Sequence, residues 1–193
     1  MAIFNHNPFM PHSPPLQHSQ QFTLVEANPL SQPNLPPHPR TKILHDIAAY
    51  SDASSEIGIG ITVRNQWRAW CLLPSWKGEG QDISWAEAMG FLFLILTILQ
   101  SSPSDTDYKV FGDNKGVVEG WWKGRSHNSP TNKIFKMVHE KSEHSGITFH
   151  TRYIPSKENP ADLPSCRIYG PKSLLLSPIT IPHPLLLGVD GRL

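Results

Sequence analysis

Cysteine is nearly missing from this chain. Cys71 and Cys166 are the only two in 193 residues, and they lie far apart. That argues against a disulfide framework and a cysteine-based zinc site, and it points to a reducing, intracellular setting. Net charge is nearly missing as well, because 17 Lys and Arg against 16 Asp and Glu leave +1. With no overall field to draw the chain to nucleic acid or membrane, any nucleic-acid partner must be met by a local patch. The opening MAIFNHNPFMPHSPP has no basic region followed by an apolar run, so no secretory signal is read there. The longest apolar run, Met89–Leu99, is too short to span a bilayer and has Glu87 just before it. It reads as a buried helix. The expectation is an intracellular protein, cytoplasmic or nuclear, neither secreted nor membrane-spanning.

Proline, by contrast, is abundant and unevenly placed. Residues 1–40 hold nine of the 19 prolines but only two charged residues, Glu26 and Arg40. Their apolar residues show no period, so 1–41 reads as a disordered Pro/His-rich arm, partly polyproline II. A folded domain is expected over 42–170, followed by an irregular Pro/Leu-rich tail over 171–193. The tail segment SLLLSPITIPHPLLL is read in two ways, as an extended strap over the domain or as a dock for a partner.

Within the domain the elements alternate. Strands are expected at 43–51, 57–63 and 67–73, joined by a turn at Arg64-Asn65-Gln66, because IGIGITV and its neighbours are rich in β-branched and aromatic residues. Ser84 with Glu87 three residues on has the capping-box pattern, which starts a helix running to about Gln100. A fourth strand follows at 108–112 and a helix at 115–123, with Gly124 after it. Another helix begins at Ser129 or Thr131 and ends near Glu143. A fifth strand spans 147–154. The order implies an α/β fold, with helices packed on a mixed sheet. After the last strand comes ENPADLPS, read as a helix of barely one turn that Asn159 caps, Pro160 opens and Pro164 stops.

Four acids stand out by position. Asp52 lies at the end of the first strand, Glu87 in the first turn of the first helix, Asp113 just after the fourth strand and Asp162 in the short last helix. Each has a local explanation: turn chemistry for Asp52, capping for Glu87 and Asp113, and a dipole partner for Asp162. Three of the four sit at element boundaries, where a rigid scaffold usually places function.

The motifs SDAS, WAEA, FGDN and NPADLPS, in this order and rough spacing, resemble the ribonuclease H family. The version fused to the reverse transcriptases of retroelements is the nearest likeness. The resemblance covers about residues 43–170, with the glycines of IGIGI similar to those of the family's second strand. It implies a ribonuclease H-like fold, a five-stranded mixed sheet flanked by helices. It also implies that Asp52, Glu87, Asp113 and Asp162 are catalytic and hold two Mg²⁺ ions, with Mn²⁺ able to substitute. The implied reaction is endonucleolytic hydrolysis of the RNA strand of an RNA/DNA hybrid. The alternative is a catalytically inactive, retroelement-derived nucleic-acid-binding or scaffolding module. The physics of such a site does not depend on the family: two like charges about 4 Å apart repel by roughly 4 kcal/mol at an effective dielectric of about 20. Gathered acids therefore call for cations, and Mg²⁺ favours oxygen ligands and leaves room for substrate phosphate.

One departure from the family is the loop before the last acid, Pro155-Ser156-Lys157-Glu158, which lacks the His that many members carry. A transposase or integrase of the same fold class fits less well, since those enzymes do not use an acid placed like Glu87. Candidate substrate contacts are Ser54, Asn114, Lys115, Trp122, Lys123 and Arg125. Lys and Arg suit phosphates, and an aromatic face suits a sugar or base. Trp121 and Trp122 are equally well explained as core residues, or as one inward and one outward. The expected partners are an RNA/DNA hybrid and a separate reverse transcriptase, with no membrane.

Overall fold

The computed structural model describes residues 43–186 and 188–190. The arm expected over 1–41 lies outside the described residues. The domain opens with strands β1 (Leu44–Ala53), β2 (Gly58–Val63) and β3 (Gln66–Leu72). Arg64 and Asn65 both take positive φ, 50° and 66°, in the turn between β2 and β3. A two-residue turn of that hand matches the twist of the strands it joins, so Gln66 belongs to the strand and not to the turn.

Helix α1 (Ile83–Ser101) follows, then β4 (Asp107–Gly112), α2 (Lys115–Lys123), α3 (Ser129–Glu143), β5 (Thr148–Tyr153) and the single-turn α4 (Asp162–Ser165). A short strand, β6 (Val189–Asp190), closes the described chain. The sheet order is β5-β4-β1-β2-β3-β6. β4 runs parallel to both β1 and β5, while β1–β2, β2–β3 and β3–β6 are antiparallel. This is the expected mixed sheet flanked by helices, with six strands where five were expected. The sixth comes from the tail. Two residues carry too little pattern to be read as a strand, and only the open edge of β3 makes them one.

α1 explains its own composition. Its residues from Trp85 to Ile95 are all buried, with the sheet on one side and α3 on another. The tail covers part of what remains: Leu176, Leu185 and Val189 join the core, with Ile179 and Ile181 packed against it. The whole of α1, longer than its apolar run Met89–Leu99, is long and apolar enough to cross a membrane, but most of it is enclosed by protein. Each large apolar side chain buried this way contributes about 1.5–3 kcal/mol. Its N-terminus differs from the reading above. Asp82, not Ser84, is the cap, its Oδ1 accepting the Trp85 N–H at 3.1 Å. That frees Glu87 from capping duty.

The tail takes the first of its two readings, as a strap. Leu176 N–H donates to Trp67 O at 2.9 Å. Trp67 Nε1 donates to Pro171 O at 3.1 Å and the buried Arg68 guanidinium to Leu176 O at 2.6 Å. β6 then pairs with β3 through Cys71 and Leu72.

Candidate functional site

The sheet topology makes a natural site. The chain runs from β1 outward through β2 and β3, then returns to lay β4 on the other side of β1. In open α/β sheets, ligands bind beyond the carboxyl ends of the strands where the order reverses in this way. β1 and β4 are parallel neighbours, so Asp52, next to last in β1, and Asp113, directly after β4, come out side by side. Glu87 reaches the same point from the second turn of α1. Gly90, one turn on, lets that helix approach β1 closely: a Cβ there would lie 3.3 Å from Asp52 O and 3.5 Å from Ser51 Cβ.

Asp52, Glu87 and Asp113 each place a carboxylate oxygen within 4.8 Å of the others. Asp52 and Glu87 are only 5% and 8% exposed. Burial pushes the Asp52 carboxyl up to about 7, with the charges of Asp113 and Asp162 adding to the rise and a hydrogen bond from Ser165 opposing it. Burial likewise drives Glu87 well above the usual carboxylate range; the charges of Asp52 and Asp113 reinforce this, and a hydrogen bond from the Ala53 backbone works against it. Acids whose ionised forms are this costly are poised for a cation. The donor set is all carboxylate oxygen, which suits a hard divalent ion such as Mg²⁺ or Mn²⁺.

Asp162 is not in that group of three. It opens α4, half-buried, close enough for its charge to act on Asp52. The short helix is also built differently from the sequence reading. Its N-cap is Ala161, and Pro164 lies inside the turn instead of ending it. Asn159 precedes the helix and uses its side chain elsewhere. Its Oδ1 accepts the Ala161 N–H at 3.1 Å, while Nδ2 donates to Ser51 O at 3.0 Å and to Asp113 Oδ1 at 3.3 Å. Ser165, fully buried, donates a hydrogen bond from Oγ to the Asp52 carboxylate.

Sequence reasoning missed both Asn159 and Ser165 as site residues. The available signal was the IGIG of β2. A Cβ on Gly60 would lie 2.5 Å from both Ala161 O and Ser165 N, while one on Gly58 would meet Trp70 O of β3 first and Ser165 O only at 3.4 Å. Two glycines alternating in a buried strand mark a place where another backbone comes close, and here that backbone carries Asp162 and Ser165.

The candidate substrate contacts divide into two groups. Ser54 and Asn114 stay beside the acids in sequence, and Asn114 lines a small cavity with Ser51 and Glu87. Asn114 caps α2, its Oδ1 accepting the Val117 N–H at 3.1 Å. Lys115 is exposed, with Nζ 5.0 Å from the centroid of the Tyr153 ring. Trp122, Lys123 and Arg125 lie at the far end of α2, a helix of nine residues, which places them about 13 Å from its start at 1.5 Å per residue. They do not join the acidic cluster. Trp121 turns inward, its ring edge-on to Phe91 and Phe135. Trp122 is 53% exposed, its Nε1 tied to Thr151 O at 3.2 Å and Arg152 5.7 Å from its ring. Lys123 pairs with Glu119 at 2.9 Å on the surface.

No family model matches the sequence, and no curated protein matches it. Among solved structures, the chain is similar to ribonuclease H1 from the halophilic archaeon Halobacterium salinarum. The identity is 13%, the match covers 65% of this chain and 96% of that one, and the TM-score is 0.44. It is also similar to the N-terminal ribonuclease H domain of a Mycobacterium tuberculosis protein solved as a fusion with maltose-binding protein. There the identity is 15%, the coverage 62% of this chain and 88% of that one, and the TM-score 0.44.

Proposed function

We propose that this chain is a divalent-metal-dependent endonuclease of the ribonuclease H type, hydrolysing the RNA strand of RNA/DNA hybrids and derived from a retroelement. The observation that carries this reading is the cluster of buried Asp52 and Glu87 with half-buried Asp113, whose oxygens lie within 4.8 Å of one another where the carboxyl ends of β1 and β4 meet α1. Local turn and capping chemistry accounts for none of the burial of Asp52 and Glu87.

In this reading Asp52, Glu87 and Asp113 hold Mg²⁺, and Asp162 completes the ligand set from α4. When bound, a pair of such ions supplies an activated water and stabilises the leaving oxygen of an in-line displacement. The chain's own residues do the rest. Burial of Asp52 and Glu87 excludes bulk water from their side of the site. Asn159 holds Asp113 to the β1 backbone. Ser54, Asn114 and Lys115 line the approach beside the acids. Trp122, Lys123 and Arg125 meet the nucleic-acid backbone further along, reading shape and 2′-hydroxyls more than sequence. The products expected are a 3′-hydroxyl and a 5′-phosphate.

The test is cleavage of an RNA/DNA hybrid against duplex DNA by wild type and Asp113→Asn, each with Mg²⁺ and with Mn²⁺. Metal-dependent cutting of the hybrid alone, lost in the variant, supports the reading. Binding of hybrid without cutting selects instead the inactive binding or scaffolding module. The loop at Ser156–Glu158, a short 3₁₀ turn without a His, is the observation that favours that second reading.

A further inference from the structure

We propose that Ser165 is a positioning residue for the metal centre: its hydroxyl holds the Asp52 carboxylate in the ligating orientation before any cation arrives. The proposal rests on the metal-site reading, and its grounds are geometric. Ser165 is 0% exposed. Its Oγ lies within hydrogen-bond reach of both Asp52 Oδ2 and the Asp162 backbone carbonyl, the latter at 2.9 Å. A serine hydroxyl has one hydrogen to give. A bond to the carbonyl three residues back is what any serine ending a helix makes, and on that reading Ser165 is ordinary. When Asp52 is ionised, as ligation requires, its carboxylate is the better acceptor, because a bond to an ionised acceptor is roughly twice as strong as one to a neutral carbonyl. The hydrogen therefore goes to Asp52.

The surroundings are arranged to allow this contact. α4 sits directly on the backbone of β2 at Gly60, where an added Cβ would collide with Ala161 O and Ser165 N. The hydroxyl thus reaches Asp52 across a backbone-to-backbone contact, with no flexible side chain between. Asn159 does the matching work from the other end of the same segment, through its Nδ2 bond to Asp113. One stretch of seven residues, 159–165, thereby holds two of the three clustered acids. Groups that orient a ligand carboxylate in this way typically cost 10–100-fold in metal affinity when removed.

The experiment is Mn²⁺ binding by the full chain, followed by titration calorimetry or by the electron paramagnetic resonance of free Mn²⁺. Wild type, S165A, S165C and, as a control, G124A are compared. Gly124 sits at φ 66° with nothing within 4 Å of a Cβ added there. G124A therefore lowers stability without touching the site, and it separates a loss of positioning from a general loss of stability. The expected result is at least tenfold weaker Mn²⁺ binding in S165A, with G124A unchanged. S165C keeps the side-chain volume and exchanges the hydroxyl for a poor donor; it is read in the same way if S165A does not fold. Unchanged Mn²⁺ binding in a folded serine variant overturns the positioning role while leaving the metal site standing. No Mn²⁺ binding by wild type overturns both. Binding weakened equally in G124A also overturns the positioning role, since stability alone then explains it.

Discussion

Asn159 Nδ2 stands 3.0 Å from Ser51 O and 3.3 Å from Asp113 Oδ1, so one buried amide ties the ends of β1 and β4 together from a segment more than 40 residues beyond either. Asn159→Ala leaves the Ser51 carbonyl short of a buried donor. The expected loss is about 1–3 kcal/mol of folding stability, read as a lower urea midpoint at unchanged slope. An unaltered midpoint would show that water replaces the amide at no cost.

Stability of the metal-free chain should fall as pH rises from about 4 to about 7. Folding raises the Asp52 carboxyl from 3.8 to about 7 and lifts Glu87 in the same direction. Across that window the folded state holds protons that the unfolded state has lost, so the proton-linked slope of unfolding free energy with pH is negative. Melting temperatures in a chelator are expected to be lower at pH 7.5 than at pH 5.5. Added Mg²⁺ should raise the higher-pH value more, because ligation requires the ionised carboxylates. A chelated protein equally stable at both values would contradict the buried cluster.

Glu87→Gln should separate stability from activity. It removes a buried carboxyl whose ionisation is opposed by burial and by the charges of Asp52 and Asp113. The metal-free protein at pH 8 should melt at a higher temperature than wild type, while hybrid cleavage falls by at least a hundredfold. Gains of stability at the expense of function are the usual outcome where a site holds like charges. A variant that is less stable at pH 8 and still cleaves would place Glu87 outside the site.

Gly60→Ala is expected to cost about 1–3 kcal/mol, the usual range for overpacking, because its Cβ would collide with backbone atoms of α4, which cannot swing aside as a flexible side chain can. Thermal melting checks the stability. Hydrogen exchange at Ser165, Cys166 and Arg167 checks where the strain falls. Exchange there at the wild-type rate would mean that α4 is not seated on β2.

Lys123→Gln and Arg125→Gln should each lower the slope of log hybrid affinity against log salt by about one or slightly less, as expected for loss of one phosphate contact. Cleavage at saturating substrate should stay near wild type. Unchanged slopes would mean that the far end of α2 does not touch the backbone.

The sequence was most readable where structure is local. β2 was visible in its β-branched run, and α2 matched its predicted bounds between Asn114 and Gly124, because caps and propensities act within a few residues. The start of α1 was misassigned because Asp82 and Ser84 are both good caps two residues apart, and only the packed helix chooses between them. The trio of acids was legible as element-boundary residues supported by a family resemblance. Asn159 and Ser165 were not, since their side-chain partners in β1 lie 108 and 113 residues away. Nothing near Asn159 distinguishes an amide that caps a helix from one that braces another strand.

The glycine-floored seat on β2 also governs timing. The hairpins of β1, β2 and β3 need only near neighbours in the chain, whereas the donors to Asp52 and Asp113 arrive from residues 159–165. Closing so long a loop is slow compared with forming a hairpin. Pairing of β4 with β1, itself a longer closure than a hairpin, should bring Asp113 to Asp52 before either donor docks, and mutual repulsion of the acids should oppose that pairing. A divalent cation present during refolding should then act early, speeding the collapse of β4 onto β1 instead of merely stabilising the finished protein.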